Sequence, residues 1–97
     1  MVDFAGWSMP VQYSSIIEEH THCRKKAALF DVSHMGQLQI RGSNAAEALE
    51  KLVPSNINGL KEGKARYTLL TNEDGGIMDD LIVSNAGDHL YVVVNAA

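Results

Sequence analysis

Two adjacent aspartates, Asp79 and Asp80, carry the strongest chemical signal in the sequence. They lie between Ile77-Met78 and Leu81-Ile82-Val83, a run that otherwise reads as a buried strand. Aspartate is depleted in strands. Neighbours on a strand face opposite ways, so one of the two carboxylates is expected to point inward. An inward carboxylate loses hydration and needs a partner to offset the cost. Local rules broken in this way mark candidate binding or catalytic acids. The alternative is that the Gly75-Gly76 turn extends further and leaves both side chains wet.

Other reactive residues are less suggestive. His20, His22 and Cys23 crowd one segment. On a helix the two histidines point about 200° apart, and His20 with Cys23 supplies only two ligands, too few for a closed zinc site. No metal is expected. Asp31, Ser33 and His34 are the residue types of a hydrolase triad, but they sit within four positions and lack a Gly-x-Ser-x-Gly elbow. A turn held by Asp31 and Ser33 is the better reading. Glu73-Asp74-Gly75-Gly76 has no following Lys-Ser/Thr, and its acids would repel phosphate, so it reads as a turn. Tyr67 and Tyr91 fall in strands and read first as sheet packing. Asn95 is a polar stop after Val92-Val93-Val94.

The elements that position these residues follow from periodicity and punctuation. Residues 1–13 read as an extended piece, a turn at Gly6 and a second extended piece before and after Pro10. Ser15-x-x-Glu18 forms a capping box that opens a helix. Ile16, His20, Cys23 and Ala27 would share one of its faces, with acids at its start and Arg24-Lys25-Lys26 at its end. Gln37 to Arg41 alternates as a strand with one wet face. Ser43 or Asn44 caps a second helix with Ala45, Ala48, Leu49 and Leu52 as its stripe, and Pro54 ends it. Strands follow at 65–71, 77–84 and 89–95, as a three-stranded antiparallel meander. The fold class is α+β, an antiparallel sheet with flanking helices.

The sequence has 97 residues, 45% hydrophobic, with 12 acids against 8 bases and a net charge of −4. This is a globular composition. An acidic chain whose one basic run is Arg24-Lys25-Lys26 argues against a nucleic-acid partner. Its longest apolar run is about five residues, against the ~20 needed to cross a bilayer as a helix, so no membrane association is expected. The start, Met1-Val2-Asp3-Phe4, has no secretory or transit character. A single cysteine excludes an internal disulfide and fits a reducing compartment.

Four motifs in order resemble one family. They are Met1-Val2-Asp3-Phe4-Ala5-Gly6-Trp7-Ser8-Met9-Pro10-Val11-Gln12-Tyr13, Phe30-Asp31-Val32-Ser33-His34-Met35, Gly75-Gly76-Ile77-Met78-Asp79-Asp80-Leu81-Ile82-Val83 and Leu90-Tyr91-Val92-Val93-Val94-Asn95-Ala96. Together they resemble the aminomethyltransferase, or T-protein, family of the glycine cleavage system. The resemblance implies a reaction. The aminomethyl group on the lipoyl arm of H-protein passes to tetrahydrofolate, giving 5,10-methylenetetrahydrofolate, ammonia and reduced lipoyl H-protein. It also implies that Asp80 is the key acid facing the folate, with Asp79 turned away. Met35, Tyr67, Ile82 and Asn95 fall on folate-lining positions by the same motifs.

Family members are considerably longer than this chain. The resemblance therefore implies a fragment that is inactive by itself. Residues 1–34 would begin the first folate-binding domain, and 35–97 would form most of a second, ferredoxin-like domain. The compartment would be the cytoplasm in a bacterium or the mitochondrial matrix in a eukaryote. Two other readings compete. One is the folate domain of a dimethylglycine or sarcosine dehydrogenase, which an upstream flavin-binding segment would reveal. The other is a non-catalytic folate-binding module. Phe4 and Trp7, left partly unpacked in a fragment, favour self-association.

Overall fold

The computed structural model describes residues 1–96. Ala97, the last residue of the expected second segment, lies outside the described residues. The chain divides into two compact units, Met1–His34 and Met35–Ala96.

The first unit begins with a hairpin of β1 (Val2–Phe4) and β2 (Trp7–Met9), paired Val2 to Met9, Asp3 to Ser8 and Phe4 to Trp7. A two-residue hairpin turn matches strand twist when both central residues have positive φ. Ala5 (φ 51°) and Gly6 (φ 83°) do so, and the Asp3 carboxylate accepts the Gly6 N–H at 3.1 Å. Helix α1 (Ile16–Lys25) follows, with Ser15 as its N-cap accepting the Glu18 N–H at 3.5 Å. Glu19, not Glu18, makes the reach back, and it goes to the two residues before the cap. Glu19 Oε1 accepts the N–H groups of Tyr13 and Ser14, each at 2.7 Å. These donors, Ser14 first, hold the Glu19 carboxyl below the usual range. The helix ends at Lys25, so Ala27 lies beyond it, and none of its residues is buried. Indeed no residue of 1–34 is buried. Phe4 is 52% exposed and Trp7 51%.

The second unit contains β3 (Gly36–Ile40), α2 (Ala45–Glu50), β4 (Ala65–Thr71), β5 (Ile77–Asn85) and β6 (Leu90–Val94). The last three strands form the expected meander. The first strand adds to it: β3 pairs antiparallel with β6, giving the sheet order β3-β6-β5-β4. One face of this sheet carries the core. Leu81, Val83, Leu90 and Val92 meet Ala45 and Leu49 of α2 and Val53, Ile57 and Leu60 of the following loop. Burying a side chain of this size contributes roughly 1.5–3 kcal/mol each. Thr68 is the one buried polar residue among those described, and its hydroxyl is bonded to that of Ser55 at 2.7 Å.

Helix α2 is shorter than its sequence stripe predicts. Asn44 caps it through its backbone carbonyl, with no side-chain bond. Beyond Glu50 the chain tightens, with Lys51 N–H on Ala48 and Leu52 N–H on Leu49. The Val53 N–H still reaches the Leu49 carbonyl at 3.2 Å, so Ala45, Leu49 and Val53 form the buried line at four-residue spacing, and Ala48 and Leu52 are exposed. The Glu50 carboxylate then anchors the loop, accepting the N–H groups of Ile57 (2.7 Å) and Asn58 (2.9 Å) and the Asn58 side-chain amide (3.0 Å).

Candidate functional site

The opposite face of the sheet in Met35–Ala96 holds the candidate site. Strand alternation places Leu81 and Val83 in the core, so Asp80 and Ile82 project from the other face. Ile82 pairs with Tyr67 on one side and Val93 on the other. Asp80 pairs with Leu69. The Tyr67 ring thus stands one row from Asp80, a diagonal neighbour across the strands. Its phenol donates to Asp80 Oδ2 at 2.8 Å. Tyr67 is 64% exposed and Ile82 43%, so both are open to a ligand.

Asn95 follows β6 directly, and its amide completes the cluster. It donates to Asp80 Oδ1, to the Asp80 carbonyl at 3.3 Å and to Asp79 Oδ1 at 2.9 Å. Met35 precedes β3, one step beyond the Gly36–Val94 pair, and so continues the register level with Asn95. Of the five residues singled out in the sequence, Tyr67, Asp80 and Asn95 are hydrogen-bonded together, and Ile82 stands beside Tyr67 in register.

Asp79 behaves differently from the expectation that it turns away. Its backbone pairs with Leu70, in register with the core-facing set. Yet its carboxylate meets the same Asn95 amide, and Oδ1 also accepts the Asp80 N–H at 2.8 Å. Neither aspartate is buried; both are half-buried. A register irregularity between Leu70 and Thr71 lies beside this point, near the end of the ladder. Strand alternation alone contains no signal for such a local return.

The electrostatics follow from these bonds. The Tyr67 phenol first, then the Asn95 amide, hold the Asp80 carboxyl below the usual carboxylate range. The same bond pushes the Tyr67 phenol up, so it stays protonated and donates. Asp80 is therefore an anionic acceptor at neutral pH, better suited to holding and orienting N–H groups or positive charge than to abstracting a proton. The folded-state value lies below the unfolded one. Its stabilising effect is thus present above the unfolded carboxylate value and is lost as pH falls through the folded one. Tyr67→Phe removes the first cause, so the Asp80 carboxyl value is expected to move up toward the usual range. Carboxyl-carbon NMR titration reads this directly, and an unmoved Asp80 titration would show that the phenol bond does not control it.

The remaining candidates lie in Met1–His34. His20, Cys23, Asp31, Ser33 and His34 line a 690 Å³ cleft walled by Trp7 and other apolar residues. Asp31 Oδ1 accepts the Ser33 N–H at 2.9 Å, the turn expected from the sequence. His34 packs edge-on against Phe4, with ring centroids 5.4 Å apart and planes at 87°. Among the described residues no three His, Cys, Asp or Glu side chains gather as metal ligands.

Fold and site together define an α+β domain that displays a hydrogen-bonded acid, phenol and amide on the open face of an antiparallel sheet. The chain belongs to the GCVT N-terminal domain family, whose model matches residues 1–97. It is 52% identical over 97 residues to the mitochondrial aminomethyltransferase of Dictyostelium discoideum, covering 99% of this chain and 24% of that protein. It is 50% identical over 105 residues to the aminomethyltransferase of Synechococcus sp. (strain WH7803), covering 100% and 28%. Among solved structures it is similar to the glycine cleavage system aminomethyltransferase T from Bartonella henselae, with a TM-score of 0.89 and 42% identity, covering 98% of this chain and 27% of that one. The chain thus spans about a quarter of the length of these relatives.

Proposed function

We propose that this chain supplies the acid-bearing folate face of an aminomethyltransferase. The parent reaction would move the aminomethyl group from the lipoyl arm of H-protein to tetrahydrofolate, with release of ammonia. The observation that carries this reading is the Asp80 carboxylate, gripped by Tyr67 and Asn95 on an otherwise open sheet face. The relatives named above, all aminomethyltransferases, support it.

The residues fit a reduced pterin as co-substrate. Asp80 offers a charged acceptor to ring amines, while Ile82 and the exposed Tyr67 ring offer an apolar wall. Asp80 would orient the folate amines and stabilise positive charge that develops as the amine attacks the methylene carbon. Asn95 and Tyr67 keep the carboxylate ionised and fixed. Met35 extends the wall at the register position level with Asn95. The compartment would follow the source: the mitochondrial matrix in a eukaryote, the Dictyostelium relative being mitochondrial, or the cytoplasm in a bacterium.

An open sheet face buries one side of a ligand, whereas small-molecule pockets bury most of its surface. Calorimetric titration of the 97-residue chain with tetrahydrofolate is therefore expected to give a Kd of about 0.1 mM or weaker. Submicromolar binding would overturn the assignment of the rest of the pocket to other parts of a longer protein.

A further inference from the structure

A separate set of contacts lies in the loop between α2 and β4. Asn58-Gly59 is the single Asn-Gly pair in the sequence. In a flexible chain such a pair is chemically labile, because glycine has no Cβ to hinder its backbone nitrogen. We propose that Asn58 is a deamidation site held silent by Glu50 and Asn56.

The step itself is a ring closure. The Gly59 nitrogen gives its proton to water and bonds to Asn58 Cγ. The bond from Cγ to Nδ2 breaks, water returns a proton to Nδ2, and ammonia leaves. Water then opens the resulting succinimide at either carbonyl, leaving aspartate or isoaspartate at position 58.

The fold opposes this closure at both reacting groups. The nucleophile is occupied: the Gly59 N–H donates to Asn56 Oδ1 at 2.8 Å. The leaving amide is tethered: Asn58 Nδ2 donates to Glu50 Oε2 at 3.0 Å, and the Asn58 N–H to Glu50 Oε1 at 2.9 Å. Attack therefore requires breaking contacts at both ends before the atoms can align. Asn58 and Gly59 are exposed, so water reaches them and burial does not account for protection.

The same contacts explain why a labile pair stands here. A Cβ at position 59 would lie 2.6 Å from Asn56 Nδ2, so glycine lets the Asn56 amide sit in this position without shifting. Asn58 gives Glu50 its side-chain donor. Conversion is also self-locking. A carboxylate at position 58 faces that of Glu50 with no donor between them, and like charges repel. The loop that carries Ile57 and Leu60 into the core then loses one of the three bonds that hold it to Glu50.

The test incubates the 97-residue chain at neutral pH and body temperature, with and without guanidinium chloride. Tryptic peptide 52–61 is sequenced by mass spectrometry, with Asn56, followed by the bulky Ile57, as an internal slow reference. Deamidation of Asn58 is expected to be at least about tenfold slower without denaturant. Glu50→Ala, with its sheet checked by circular dichroism, is expected to remove most of that protection. If Glu50→Ala does not fold, Asn56→Ala, which frees the Gly59 N–H, must accelerate the reaction. Equal rates for the wild-type chain with and without denaturant would overturn the proposal, as would a folded Glu50→Ala or Asn56→Ala chain that deamidates no faster.

Discussion

Asp80→Asn in the full-length aminomethyltransferase is expected to lower kcat/KM by about 100-fold or more while leaving the fold intact. The substitution is nearly isosteric. The Tyr67 phenol can still donate to the remaining oxygen, so the bond across β4 and β5 need not be lost. What disappears is the negative charge that the phenol and the Asn95 amide stabilise. Hydrogen bonds to a charged acceptor are roughly twice as strong as neutral ones, and a charge aimed at a developing cation acts mainly in the transition state. Steady-state turnover with aminomethylated H-protein and tetrahydrofolate, beside a circular dichroism spectrum, reads both halves of the prediction. Near wild-type turnover in a folded variant would remove Asp80 from the mechanism and leave it a structural ligand of Tyr67 and Asn95.

Ile57→Ala is expected to destabilise Met35–Ala96 by about 2–5 kcal/mol. Ile57 is only 2% exposed and packs with α2 and the core face of the sheet. Truncation loses the transfer energy of the removed atoms and leaves a cavity that the neighbours fill only in part. Against a total stability of roughly 5–15 kcal/mol for a domain, this is a large share. Leu52→Ala, five residues away, is the control. Leu52 is 54% exposed, so its loss is expected to cost about 0.5 kcal/mol or less. Urea unfolding followed by circular dichroism compares the two, and equal midpoints would mean that the α2–β4 loop does not seat the core.

The contrast between these residues shows where sequence patterns stop. The helical stripe predicts Leu52 inside, whereas the structure buries Val53. The buried line runs Ala45, Leu49, Val53 at four-residue spacing instead of through Ala48 and Leu52, and packing against the sheet selects between these adjacent lines. The strands were more legible. β4 spans Ala65–Thr71 as expected, and β5 and β6 depart by a residue at their ends. Each is an apolar or alternating run closed by turn residues, and that information is local. The capping glutamate was legible only in type. Ser15-x-x-Glu18 marks the helix start, but Glu19 makes the reach back to Tyr13 and Ser14. Adjacent acids at a helix start are interchangeable in pattern and differ only in where the preceding chain runs.

The family was reached by the resemblance of four motifs, and the choice of Asp80 came with it; local patterning reached only the Asp79-Asp80 pair and the strand that carries it, because alternation and an acid misplaced in an apolar run are properties of neighbouring residues. Tertiary structure decided the rest. It set β3 against β6, brought Tyr67 to Asp80 across 13 positions of sequence and Asn95 across 15, and returned the Asp79 carboxylate to the same amide. The physical reason is register. Which side chains meet across a sheet depends on how strands pair, and pairing is settled by non-local burial of the face on which Val83 packs with Ile57 of the loop, not by any short stretch of chain.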